Sequence, residues 1–172
     1  MKGRDEMGKT ENNIVTVLVE NNAGVLARVV SLFGRRGYNI ESLTVATTKD
    51  KRTSYITIVV NGDKDILDQI IKQVSHLEET ISVRPLEESR ALSRELLLIK
   101  FAINDKTLTS IHEISSIYGA TIVDLAPDTM IVELTSNTSK IDAFLSIMKK
   151  YDIIEICRTG VTALERDSQK LK

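Results

Sequence analysis

From Ile14 onward the chain alternates between β-branched apolar runs and runs with apolar residues every three to four positions, twice in the same order. This alternation restricts the fold more than any other feature. Ile14–Glu20 (IVTVLVE) reads as a buried strand. Val25, Leu26, Val29, Leu32 and Phe33 then share one face of a helix, and Gly37 offers its stop, because glycine takes positive φ without steric cost. Ile40–Thr48 and Thr53–Asn61 read as strands joined by the charged loop Lys49-Asp50-Lys51-Arg52. Asp63 is placed to cap a helix striped by Ile66, Leu67, Ile70, Ile71, Val74 and Leu77. Ile81–Leu86 closes the unit as a strand, with Pro85 suited to an edge or strand end. The order is βαββαβ.

After a polar stretch over 87–94, the order repeats. Glu95–Ile103 is the first strand, and Leu108–Tyr118 a helix with Leu108, Ile111, Ile114 and Ile117 expected inward. Thr121–Ala126 and Thr129–Leu134 form a hairpin across Pro127-Asp128. Ile141, Phe144, Leu145 and Met148 line a second helix, opened by a capping box over Ser139–Asp142, and Ile153–Thr159 is the last strand. The expectation is an α+β chain of two tandem ferredoxin-like domains. Its boundaries are a flexible extension over 1–12, a first domain over 13–86, a linker over 87–94, a second domain over 95–165 and a flexible tail over 166–172. Domains this small bury a limited share of their surface, and the second strand lies at a sheet edge with few charges, so a homodimer is expected.

Composition narrows the function by exclusion. A formal net charge of −1 lacks the basic surplus that drives contact with nucleic-acid phosphates. RNA-recognition domains share the βαββαβ order but stack bases on aromatics, whereas Tyr55 is the lone aromatic on the two central strands of the first unit. No apolar run reaches the roughly 20 residues that span a bilayer, and the N-terminus has no apolar signal region, so no membrane role is expected and the cytoplasm is the expected compartment. His76 and His112 are isolated, without ligands at metal spacing, and no nucleophile elbow is present. Cys157, the single cysteine, reads as a small core or sheet residue. No catalytic or metal-binding residue is assigned.

The remaining candidate is the start of the first helix, Asn21-Asn22-Ala23-Gly24-Val25-Leu26. It is neither G-x-x-x-x-G-K-[ST] nor G-x-G-x-x-G, which removes the usual nucleotide loops. The first N–H groups of a helix lack intrahelical partners and carry partial positive charge, which suits a carboxylate. Gly24 permits close approach, and Asn21 and Asn39 offer donors and acceptors for a group bearing an ammonium beside a carboxylate. The competing reading is that Asn21 and Asn22 cap the helix and Asn39 serves a corner. Local physics alone favours capping.

VENNAGVLARVVSLFGRRGYNIESLTV, with TSYITIVV and the later SKIDAFLSIMKKYDIIEICRTG, resembles the small, regulatory subunit of acetolactate synthase. The resemblance covers about residues 14–165 and implies that the first domain is an ACT domain, an amino-acid-sensing module. It implies a non-catalytic chain without its own cofactor, partnered by a large catalytic subunit that carries thiamin diphosphate, Mg²⁺ and FAD. Such a chain raises the partner's activity and confers feedback inhibition by a branched-chain amino acid, valine first among them. The implied effector contacts are Asn21, Gly24 and Asn39, with Val25, Leu26 and Ile40 supplying N–H groups and apolar wall, in a site shared across a dimer two-fold. Ala23 stands where many ACT loops have proline. The alternative is an ACT-type sensor serving a different biosynthetic enzyme. A eukaryotic source would move the expected compartment to an organelle stroma.

Overall fold

The computed structural model describes residues 11–87 and 89–166. These residues form β1 (Glu11–Glu20), α1 (Val25–Arg36), β2 (Ile40–Thr47), β3 (Thr53–Gly62), α2 (Lys64–Ser75) and β4 (Thr80–Leu86). There follow β5 (Ala91–Ala102), α3 (Asp105–Tyr118), β6 (Thr121–Leu125), β7 (Thr129–Ser136), α4 (Thr138–Met148), β8 (Ile153–Arg158) and β9 (Thr162–Glu165). The two sheets run β2-β3-β1-β4 and β6-β7-β5-β8, with β9 also pairing with β5. Both repeats therefore carry the ferredoxin-like order expected of the chain.

In the first sheet β1 lies antiparallel to both neighbours, with Val17 opposite Ile56 and Val15 opposite Ile58. These four side chains, with Val19 and Val60, face the helices, because alternate residues of a strand share a face. α1 closes them with Val25, Val29 and Phe33, and α2 with Ile70 and Val74. Fully burying one such side chain stabilises by about 1.5–3 kcal/mol. Thr16, Thr57 and Val59 on the opposite face are also buried, which is why β1 and β3 read as nearly continuous apolar runs. β2 and β4 are the edges, as expected, and Pro85 sits in β4.

The second core joins Leu97, Ile99 and Phe101 of β5 to Met130, Val132 and Leu134 of β7 beneath Ile111 of α3 and Ile141, Phe144 and Met148 of α4. Ile117 is the exception to the expected stripe: it is 80 % exposed, and Ser115 is buried instead. At 100° per residue, Ile117 lies about 120° off the line through Ile111, Ser115 and Tyr118. α3 starts at Asp105 because Asn104 caps it, accepting from Lys106 and Thr107 N–H while Thr107 closes a capping box. α4 is capped by Asn137, which accepts from Lys140 N–H, and not by Ser139, whose hydroxyl donates to Asn137 Oδ1.

The boundaries also move. β1 already includes Glu11 and Asn12, assigned above to the extension, and β5 starts at Ala91, inside the expected linker. The chain divides into two compact units, one of them Ser93–Thr162, while the segment from Ala163 belongs with the first unit. There Arg166 N–H donates to Arg90 O and Glu165 pairs with Arg90. Residues 1–10 and 167–172 lie outside the described part.

Candidate effector site at the head of the first helix

α1 begins without a side-chain cap. Its N-cap is Gly24 at φ 85°, a left-handed conformation that glycine adopts freely. The two asparagines that could have capped it are engaged elsewhere. Asn21 Nδ2 donates to Lys51 O at 3.0 Å, and Asn22 Nδ2 to Glu20 Oε2 at 2.8 Å. Val25 N–H reaches Asn22 O at 3.3 Å, and the first intrahelical bond runs from Arg28 N–H to Gly24 O. No side chain caps α1, so the capping reading of Asn21 and Asn22 does not hold; the first N–H, that of Val25, meets the backbone carbonyl of Asn22 instead.

The surrounding bonds hold this loop on two sides. Asn21 N–H donates to Arg52 O at 2.7 Å, so Asn21 fixes the loop to the β2–β3 hairpin through backbone and side chain together. With its amide nitrogen spent on Lys51 O, the Asn21 side chain offers its carbonyl oxygen, an acceptor suited to an ammonium. On the other side Glu20 N–H donates to Glu79 O, and Glu79 makes a 2.7 Å ion pair with Arg28 on the first turn of α1. Hairpin and α2–β4 turn thus frame the helix head. Residues 30 apart in sequence meet here, and no local pattern announces such a pairing.

The other expected residues divide. Val25 is buried in the core, so only its backbone faces the loop, whereas Leu26 is 40 % exposed and stands beside the helix head as an apolar wall. Asn39 is exposed and donates to Glu41 Oε1 at 2.8 Å, and Ile40 is half-buried against the first core. Neither lies near the helix head of the same chain. β1 and β2 both run antiparallel to β3, so the end of β1 and the start of β2 sit at opposite ends of the sheet. Glu20 pairs with Thr53 and Ile40 with Val60, a seven-residue offset along β3. That corresponds to about 23 Å at the usual strand rise.

Elsewhere the titratable groups read as structure. Cys157 is exposed on β8, a sheet residue but not a core one. His76 ends α2 as its C-cap, and His112 is exposed on α3. Glu95, 4 % exposed, accepts from Thr138 Oγ1 and from Arg158 Nε and Nη2, and Arg158 also reaches Asp142 at 2.9 Å. Burial works against the Arg158 charge, but the bonds to Glu95 and Asp142 outweigh it and raise its pKa. This satisfied network holds β5, β8 and α4 together.

Two family models divide the chain between them. One, described as the AHAS small subunit-like ACT domain, matches residues 15–82, and one described as the small subunit of acetolactate synthase matches residues 94–167. A probable acetolactate synthase small subunit of Archaeoglobus fulgidus is 46 % identical over 156 residues, 91 % of this chain and 98 % of that protein. The chain belongs to the acetolactate synthase small-subunit family. An acetolactate synthase small subunit of Aquifex aeolicus is 37 % identical over 93 % of this chain and 84 % of its own. The crystal structure of the acetolactate synthase small subunit from Thermotoga maritima superposes with a TM-score of 0.86 at 34 % identity, covering 92 % of this chain and 99 % of that one. The helix head described above therefore lies in an ACT domain, and membership of this family implies a catalytic subunit as partner. No helix among the described residues is long and apolar enough to cross a membrane.

Proposed function

We propose that this chain is the non-catalytic regulatory subunit of acetolactate synthase, raising the activity of the large subunit and making it sensitive to valine. Thiamin diphosphate, Mg²⁺ and FAD belong to the large subunit, which joins pyruvate to a second 2-oxo acid. The chain works in the cytoplasm, or in an organelle stroma in a eukaryote. The observation that carries the effector reading is the uncapped head of α1, held open while both neighbouring asparagines bond elsewhere.

In this reading the valine carboxylate lies on the N–H groups at the start of α1, where the helix dipole favours negative charge. Its ammonium meets Asn21 Oδ1, and its side chain lies against Leu26. Asn39 and Ile40 complete the site from a second protomer, because about 23 Å of strand separates them from the helix head of their own chain. Edge pairing through β2 places the start of one β2 near the helix head of the partner. The edge is suited to such pairing, as β2 carries a single charge, Glu41, along its length. Valine bridging two protomers then favours one arrangement of the dimer. The inhibition equals its difference in affinity between the two arrangements, typically about 1–3 kcal/mol.

Reconstitution tests this. Acetolactate formation from pyruvate should be nil with this chain alone, and should rise when the chain is added to the large subunit. Asn39→Ala should abolish valine inhibition while leaving that rise intact; full valine sensitivity in this variant would refute the site. Calorimetric titration with valine, leucine and isoleucine identifies the preferred effector.

A further inference from the structure

α1 and α2 lie antiparallel over the first sheet and are tied to each other at two levels. Arg28, on the first turn of α1, pairs with Glu79 beyond the end of α2, and Tyr38, just past α1, donates its hydroxyl to Gln69 Oε1 at 2.9 Å. Between these ties the helices part, and a cavity of about 290 Å³ opens between them. It is lined by Leu32, Arg35 and Arg36 of α1 and by Gln73, His76 and Leu77 at the end of α2.

The floor of the cavity is apolar: Leu32 is 8 % exposed, and Leu77 packs against the first core. Arg35 and Arg36 stand at its rim, both exposed. Arginines in the last turn of a helix complement its dipole, which accounts for their place but not for their idle donors. Arg35 Nε donates to Ser31 O at 3.4 Å, and among the described residues neither arginine meets a carboxylate. No carboxylate is among the lining residues either. This is not the face of α1 that carries the apolar wall of the helix head. At 100° per residue, Leu32, Arg35 and Arg36 stand on the side of α1 roughly opposite Leu26 and Val30.

Small-ligand pockets start at roughly 300 Å³, so the cavity suits a small body with one polar head. Leucines below and guanidinium forks above select an apolar body and an anionic head. The same lining disfavours an amino acid, whose ammonium would find two guanidinium groups and no carboxylate. We propose that the α1–α2 groove is a second ligand site, for an apolar carboxylate, sulfonate or phosphate without an amine, with the head on Arg35 and Arg36 and the body on Leu32 and Leu77. The site stands independently of the effector reading, since it shares no residue with the helix head.

Binding of anilinonaphthalenesulfonate to the full chain is followed through the methyl signals of its leucines, with N-phenylnaphthylamine, the same skeleton without the charge, as comparison. The sulfonate should move the methyls of Leu32 and Leu77 and leave those of Leu26 in place. Arg35→Gln/Arg36→Gln should raise its dissociation constant at least tenfold, while the uncharged compound binds parent and variant within twofold of each other. Gln73→Trp, which fills the cavity without touching its charge, should remove the shifts altogether. Lys49→Gln/Lys51→Gln takes the same charge from exposed positions elsewhere in the first unit and should leave the dissociation constant within twofold. Circular dichroism like that of the parent shows that the variants are folded. Unmoved Leu32 and Leu77 methyls would overturn the proposal. So would an equal loss in the arginine and lysine variants, because net charge alone would then hold the anion.

Discussion

Gly24 meets the helix head at φ 85° with nothing within 4 Å of where a Cβ would stand, so its replacement is opposed by backbone conformation alone. Gly24→Ala should therefore lower stability by about 1–2 kcal/mol, and Gly24→Asn by less, because asparagine visits the left-handed region more readily. Urea unfolding of the two variants measures the difference. Asp50 gives a second test of this kind. Bonds from the Arg52 side chain and backbone hold its carboxyl at about 2, below its ordinary 3.8. A depressed folded pKa contributes order above the unfolded value and loses it as pH falls through the folded one. The hairpin staple should then persist at pH 4 and dissolve only near pH 2, read as the ¹³C shift of the Asp50 carboxyl. An Asp50 shift centred on 3.8 would show that the staple does not form in solution. Gly24 was legible in the sequence as a permissive residue at a strand-to-helix turn. The bonds of Asn21 were not, since they run to backbone carbonyls of another element, and a carbonyl carries no residue identity.

Among the elements, α1 was the most legible. Val25, Val29, Leu32 and Phe33 are its buried residues, and Gly37 closes it at φ 70° with its N–H on Gly34 O. α3 and α4 were less so. Their stripes are short, and a buried serine is indistinguishable by periodicity from a solvated one, which is how Ile117 and Ser115 exchanged places. The network of Glu95, Arg158, Asp142 and Thr138 was not readable either. It joins charges on three elements, with Glu95 and Arg158 separated by 63 residues. Its size is testable. Arg158→Met removes one partner of a nearly buried carboxylate and should cost about 3 kcal/mol, whereas Glu95→Leu/Arg158→Met removes both charges and should cost much less. Chemical denaturation of both variants, compared as part of a double-mutant cycle with Glu95→Leu, gives the coupling. Equal losses in the single and double variants would mean that the cost of Arg158→Met is not that of leaving Glu95 buried and unpaired.

For the molecule as a whole the open matter is assembly, and one patch in the first unit speaks to it. Leu26 and Val30 lie one turn apart on α1 at 40 % exposure each, and Val45 on β2 is 42 % exposed. Apolar residues at i and i+4 on a helix form a continuous ridge, and β2 of the same unit is a sheet edge. If two copies pair through this edge, Val30 and Val45 are covered in the dimer without touching the ligand. Val30→Glu/Val45→Glu sets like charges against each other across the two-fold and should turn a dimer into a single chain by light scattering at micromolar concentration. Circular dichroism should stay that of the parent, because neither side chain belongs to the core. Valine binding should fall together with the mass, at least a hundredfold, although Asn21, Gly24 and Asn39 are all still present. That linkage is the distinctive outcome. A site completed within one chain would bind valine with or without the partner, and undiminished binding by the dissociated variant would leave Asn39, about 23 Å away along the sheet, with no part in the site.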